Sequence, residues 1–133
     1  MNSKPKKLKK KIRIVLEKTD SGYSAYARDL NVFSTGQTIT ELHNNLLEAL
    51  NIFYEDRGFY VGPENLKLQL DLQQFFRYYR VLNASFLAER IGMNPTLLSQ
   101  YVHGKKNPSS KQTRKIIRGI QTIGHELAEI ELL

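Results

Sequence analysis

Cysteine is absent from this chain of 133 residues, so disulfides, cysteine nucleophiles and thiolate zinc sites are all excluded. The three histidines, His43, His103 and His125, stand alone, and no pair has the helical spacing of a zinc site. No apolar run approaches the ~18 residues of a membrane span, and the lysine-rich start lacks the hydrophobic segment of a signal peptide. We therefore expect a cytoplasmic protein with no metal, no cofactor and no part in a membrane.

Motifs of nucleotide binding and covalent catalysis are missing too: there is no P-loop, dinucleotide glycine fingerprint or glycine-flanked serine. A metal-dependent nuclease needs several clustered carboxylates to hold two cations. The predicted first strand, residues 12–16, has none. The other acids are expected in turns or on a helical stripe that faces water: Glu17, Asp20 and Asp29, then Glu41, Glu48 and Glu55. We expect no enzyme.

Positive charge is in excess and unevenly placed, with a net charge of +7. Residues 1–11 hold six lysines and no acid, whereas residues 12–70 hold five basic and eight acidic residues. Residues 71–118 hold nine basic residues against Asp71 and Glu89 alone, a field that attracts phosphates. Residues 1–11 are expected to form a basic flexible tail, which either grips phosphates non-specifically or only aids solubility.

Residues 83–104 carry the start and stop signals of two short helices. Asn83 can cap the first helix, and Gly92 supplies the left-handed residue after its last turn. Asn94 with Pro95 begins the second helix, and Gly104 ends it. Apolar, small and glycine residues occupy the positions that a helix-turn-helix requires: Leu87, Ala88, Ile91, Gly92, Met93, Leu98 and Tyr101.

The alternative is an ordinary helical hairpin, which would not need a polar outer face followed at once by Gly104-Lys105-Lys106-Asn107-Pro108. This ending resembles that of the recognition helix in lambda-repressor-like (Xre-type) DNA-binding domains. The resemblance implies that one exposed set meets base edges: Asn94, Pro95, Thr96, Ser99 and Gln100. Gln100 suits adenine, because its amide can bond N6 and N7 together. A second set is better placed for phosphates: His103, Lys105, Lys106, Lys111 and Arg114.

The first half of the chain reads as strand, strand, strand, helix, strand. Alternating apolar residues predict strands at 12–16, 23–27, 32–35 and 66–72, and Thr38 with Glu41 forms a capping box before a helix that ends near Asp56. Three short strands meandering under one helix make a small α+β layer. We therefore predict an α+β domain over 12–70 and an all-α domain over 71–133.

Three runs in this half resemble the HicB antitoxins: Gly22-Tyr-Ser-Ala-Tyr-Ala-Arg-Asp-Leu30, Ser34-Thr-Gly-Gln-Thr38 and Glu41-Leu-His-Asn-Asn-Leu-Leu-Glu-Ala-Leu50. In that family a reduced RNase H-like domain is followed by a DNA-binding domain. The resemblance implies that the α+β domain binds a small HicA-type ribonuclease toxin while the helix-turn-helix represses the shared operon. The chain departs from the family at Arg28, where proline is usual, and at Leu30-Asn31-Val32, where the family has Leu-Pro-Gly.

A final apolar stripe steps by four, three, four and three residues through Ile116, Ile120, Ile123, Leu127 and Ile130. Such a heptad-like seam predicts a homodimer contact, or part of a tetramer, with Gly119 and Gly124 as sites of a kink or break. The alternative is a long helix folded back over its own domain.

Three functions follow from these patterns. The favoured one is a DNA-binding antitoxin that neutralises a HicA-like toxin and binds its own double-stranded operator. The second is a stand-alone helix-turn-helix repressor whose first domain dimerises or senses a ligand. The third is an RNase H-like nuclease.

Overall fold

The computed structural model describes residues 4–133 and divides them into two compact units, 4–71 and 72–133. The first unit contains strands and one long helix, and the second contains helices alone. The chain is therefore α+β, as the sequence predicts. None of the helices in the described part of the chain is long and apolar enough to cross a membrane.

The first unit is built on a four-stranded sheet. Its strands are β2 (Ile12–Thr19), β3 (Gly22–Ala27), β4 (Phe33–Gly36) and β6 (Leu66–Leu70), in the order β4-β3-β2-β6. The first three pair antiparallel, whereas β6 lies parallel to β2. Parallel pairing needs a long crossover, which here contains α1 (Ile39–Glu55).

One face of the sheet packs against α1. Ile12 and Ile14 of β2 are buried together with Leu42, Leu46 and Leu50 of the helix. The helix begins where the capping box predicts, since the Thr38 hydroxyl accepts a hydrogen bond from the Glu41 N–H at 3.1 Å. The alternating apolar residues of β2 and the apolar residues at helical spacing on α1 therefore pack against each other in this core.

The expectation of a basic flexible tail was wrong for residues 4–11. Lys6 and Lys7 form β1, which pairs in parallel with β5 (Phe59–Tyr60), and Leu8 is buried at 6% exposure. The buried Asn65 holds this segment, because its Nδ2 donates to the carbonyls of Leu8 and Lys10 at 2.8 and 2.9 Å. Its Oδ1 accepts from the Gly62 N–H at 2.9 Å. Residues 1–3 lie outside the described part.

The first strand is longer than the alternating pattern predicts. Its pairing with β3 continues to Thr19 opposite Gly22, so Glu17 lies on β2 and not in a turn. Backbone pairing across a tight turn extends a strand past the end of its apolar alternation, because ladder hydrogen bonds do not depend on side-chain polarity.

The second unit consists of four helices. They are α2 (Leu72–Tyr78), α3 (Ala84–Ile91), α4 (Pro95–Val102) and α5 (Ser110–Ala128). Helix α5 runs without a break through Gly119 and Gly124, so the interruption that the glycines suggested is absent. A β-carbon on Gly124 would meet no atom within 4 Å, whereas Gly119 lies where α5 passes α3 closely.

Candidate nucleic-acid interface

Helices α3 and α4 are joined by a short turn that is hydrogen-bonded on both sides. The Asn83 side chain caps α3 by accepting from the Phe86 N–H at 3.1 Å. Gly92 then takes the left-handed conformation, with φ 70° and ψ 34°. The N–H of the next residue, Met93, bonds back to the Ala88 carbonyl at 2.9 Å, which closes the turn.

The second helix starts on Asn94, whose Oδ1 accepts from the N–H groups of Thr96 and Leu97 at 2.8 and 3.3 Å. Pro95 occupies the first helical position, where a missing N–H costs nothing. Helix α4 ends at Val102, and Gly104 turns the chain with φ 75°.

A small apolar core fixes the two helices against their neighbours. Ala88 and Leu98 are fully covered, and Met93 and Tyr101 are buried at 7% and 8% exposure. Ile116 of α5 is also fully covered. Ala88 has no side chain beyond its β-carbon, which suits a close crossing of helices. The small and large apolar residues therefore lie where the sequence predicts them.

Of the five residues expected at base edges, Asn94, Pro95 and Thr96 begin α4, and the other two follow within its second turn. Asn94, Pro95 and Thr96 are exposed, and Ser99 and Gln100 are half-buried one turn further along. Residues three and four apart share a helix face, so Thr96, Ser99 and Gln100 can meet one surface together. Within residues 4–133 the Gln100 side chain has no hydrogen-bond partner, which leaves its amide available to a ligand.

The side chains of Asn94, from the base-edge set, and His103, from the phosphate set, already form hydrogen bonds within the protein. The Asn94 oxygen is occupied by the cap, so this residue cannot also offer the bidentate amide contact that adenine requires. The His103 Nδ1 lies 2.8 Å from the Ser99 carbonyl and 3.2 Å from its hydroxyl. Because a carbonyl only accepts, we assign the proton of neutral His103 to Nδ1, which leaves Nε2 as an acceptor.

The residues expected at phosphates surround the end of α4 and the start of α5. The backbone N–H groups of Lys105 and Lys106 donate to the Gln100 carbonyl at 2.8 and 3.2 Å, so both lysines are anchored to the end of α4. Lys111 and Arg114 lie exposed in the first turns of α5. Within residues 4–133, neither α4 nor α5 has an acidic residue in its first turn, so no carboxylate offsets the partial positive charge of either helix start, which is capped by Asn94 or Ser109 alone.

Two further basic residues belong to the same helix face. Lys115 and Arg118 are exposed, four and seven residues beyond Lys111. They extend the positive surface along α5, and their helical spacing could have identified them from the sequence. The sequence analysis also did not identify Gln73 as a neighbour of this region. A β-carbon on Gly104 would lie 2.5 Å from Gln73 Oε1, so the Gln73 side chain packs against the turn after α4.

The five residues of the predicted dimer seam differ in burial and do not form one exposed helical stripe. Ile116 is fully covered by its own chain and is unavailable to a second one. Ile120 and Ile123 are half-buried on α5, and Leu127 is 62% exposed. Ile130 lies beyond the last helical residue, Ala128, so it cannot continue a helical seam. The sequence predicted a longer helical seam because Ile130 keeps the apolar spacing beyond the last residue of α5.

No group of three histidine or acidic side chains within residues 4–133 is close enough to hold a metal ion. Glu17 on β2 is therefore not part of such a carboxylate cluster. The comparisons with known proteins found no match among family models, curated proteins or solved structures.

Proposed function

We propose that this chain is a sequence-specific double-stranded-DNA-binding repressor whose α+β unit serves as a HicB-type antitoxin. The DNA-binding part of the proposal rests on the capped turn between α3 and α4. The exposed face of α4 is polar, and exposed lysines follow the helix. A hairpin that only completes a bundle would also have a polar outer face, but it would have no reason to concentrate positive charge around that face.

In this mechanism α4 enters the major groove with its first turns towards the bases. Gln100 bonds the N6 and N7 of adenine, while Thr96 donates to a base or contacts a thymine methyl. Lys105, Lys106, Lys111 and Arg114 bind phosphates and set the register of the helix, without sequence choice.

The antitoxin part rests on the resemblance of residues 22–50 to HicB proteins. That resemblance implies a small basic ribonuclease as the partner of the α+β unit, in the same operon as the chain. The order of strands and helix in residues 12–70 is compatible with the reduced RNase H-like domain of that family.

Competitive binding to the chain's own promoter tests the DNA-binding part. The Gln100→Ala variant should weaken specific binding by ~1 to 3 kcal/mol and relax the preference at one base pair. Binding to random DNA should stay unchanged, because phosphate contacts dominate there. An equal loss on both DNAs would contradict base reading by Gln100, and no preference for any promoter sequence would remove the repressor function.

Co-purification from the native cells tests the antitoxin part. A stoichiometric small protein that arrests growth when expressed alone should be recovered with the tagged chain. Recovery of no such partner, together with promoter binding, would leave a stand-alone repressor. RNA cleavage by the purified chain with Mg²⁺, lost on changing Glu17 or Asp29, would instead support the nuclease.

A further inference from the structure

We propose that the groove between residues 81–90 and the end of α5 binds the C-terminal segment, residues 129–133, of a second copy of this chain. The proposal deepens the DNA-binding function and rests on it for its biological role, because it names the partner that brings two α4 helices to one operator. The groove is lined by Val81, Phe86, Leu87, Arg90, Ile123 and Leu127.

Large apolar side chains are left open around this groove. Val81 is 89% exposed, Phe86 71% and Leu127 62%, and the groove between them has a volume of about 510 Å³. Folded proteins rarely leave such a patch uncovered, since removing it from water stabilises an association.

The segment after α5, residues 129–133, also exposes large apolar side chains to water. Ile130 and Leu132 are 66% and 97% exposed, so neither occupies the groove of its own chain. With ~150 to 200 Å² for each large side chain, groove and segment together present roughly 600 Å² of apolar surface per copy. A standard interface buries about 800 Å² on each partner, so the exchange of two segments approaches what a stable dimer needs.

The charge distribution favours a second copy over another partner. Residues 72–118 hold nine basic residues and one acid, Glu89, so two copies repel each other over most of this unit. Residues 119–133 hold three acids and no lysine or arginine. The end of α5 and its following segment are therefore the part with which one positive copy can approach another.

The ends of the contact are also complementary in charge. Glu129 and Glu131 flank Ile130 in the segment, while exposed Arg80 and Arg90 lie beside Val81 and on the groove wall. Arg90 is hydrogen-bonded to Glu126 of its own chain, so it already accommodates a carboxylate at this position. Arg80 forms no such ion pair within residues 4–133, so it is the basic residue open to the acids of the segment.

This contact satisfies a closed two-fold arrangement. Each copy gives one segment and receives one, so residue pairs are exchanged and no surface is left for further growth. No residue of α4 lines the groove. Two Gln100 side chains stay free to bind half-sites about one helical turn, ~34 Å, apart.

Sedimentation equilibrium of the full chain without DNA tests the proposal. We expect a dimer whose dissociation constant rises roughly 30-fold or more in Phe86→Glu, because a charge replaces a central apolar anchor. Removal of residues 129–133 should give a similar rise. The control is Phe33→Glu, which changes a side chain that is 74% exposed in the other unit and should leave the dimer unchanged.

Each remaining outcome decides against the proposal. A monomeric wild-type chain, a dimer that survives either Phe86→Glu or the truncation, or a dimer lost only in Phe33→Glu would overturn it. Circular dichroism checks that Phe86→Glu is folded, and Val81→Glu provides a second variant at an 89% exposed position. The sedimentation experiment contains no DNA, so a chain that fails to bind its operator can still show the predicted dimer. A chain that fails to dimerise can still be tested separately for binding to a single half-site.

Discussion

A β-carbon placed on Gly119 would lie 2.2 Å from Cγ2 of Ile91, so α5 passes α3 at a distance that only glycine permits. The contact joins α5 to the last residue of α3. Leu87 Cδ1 lies 3.7 Å from the same point, which leaves Ile91 little space to move aside. Glycine here serves close packing and not a turn.

Gly119→Ala should therefore destabilise the second unit by ~1 to 3 kcal/mol, because the added methyl overpacks the crossing. Gly124→Ala is the matched control on the same helix, since its β-carbon would meet nothing within 4 Å. That variant should be neutral or stabilise by up to ~1 kcal/mol through helix propensity. Urea unfolding followed by circular dichroism measures both, and equal effects at the two sites would contradict the close crossing.

Asn94 should behave as a helix cap and not as a base reader. Asn94→Ala should cost ~1 kcal/mol of stability, because the Thr96 and Leu97 N–H groups lose their acceptor. Asn94→Ser keeps an oxygen at the cap, so it should retain both stability and base preference. A stable Asn94→Ser protein that loses preference at one base pair would show instead that Asn94 reads DNA.

Lys106→Ala should lower affinity for every DNA sequence and reduce the salt slope of log K by about 0.9, the value for one lost phosphate contact. Lys67→Ala is the control, because it removes the same charge from an exposed position in the first unit. Titrations at several salt concentrations compare the two. If Lys67→Ala changes the slope as much as Lys106→Ala does, overall charge and not a local contact determines affinity.

Asn65→Ala should release residues 4–11 from the first unit. The change removes two donors and one acceptor from a residue that is 3% exposed, and it leaves the Leu8 carbonyl without its amide partner. Trypsin should then cut after the lysines of this segment at least tenfold faster, an order-of-magnitude estimate from the ~1 to 3 kcal/mol cost of an unsatisfied group. Asn31→Ala, at an exposed site, serves as the control.

Acid should weaken the pair of Arg90 and Glu126. The hydrogen bond from the Arg90 guanidinium lowers the pKa of Glu126 below its ordinary value. A carboxyl with a lowered folded pKa contributes stability above the unfolded value, ~4.3, and loses it as pH falls through the folded pKa. Glu126→Gln should therefore be less stable than wild type at pH 7, and the difference should vanish at low pH.

The size of that difference should fall with added salt, because both side chains are about half exposed. Glu89→Gln is the control, since Glu89 forms no ion pair within residues 4–133. Chemical denaturation at several pH values measures the effect. A difference that persists below pH 3 would assign the stabilisation to packing and not to the charge of Glu126.

The sequence by itself determined the local structure of α3, α4 and the turn between them. Caps and turns are set by residues within four positions of each other, so Asn83, Gly92, Asn94 and Gly104 were identified correctly from their types alone. The α+β character followed in the same way, because the strand and helix periods are visible along the chain.

Only the tertiary structure decided which of these residues remain available. Leu8 belongs to the folded unit through a hydrogen bond from Asn65, 57 residues away, and Lys6 belongs to it through strand pairing with Phe59. The seam residue Ile116 is covered while Phe86 and Val81 are open, although all three are apolar. Burial depends on contacts between segments distant in sequence, and neither residue type nor spacing specifies which segments meet.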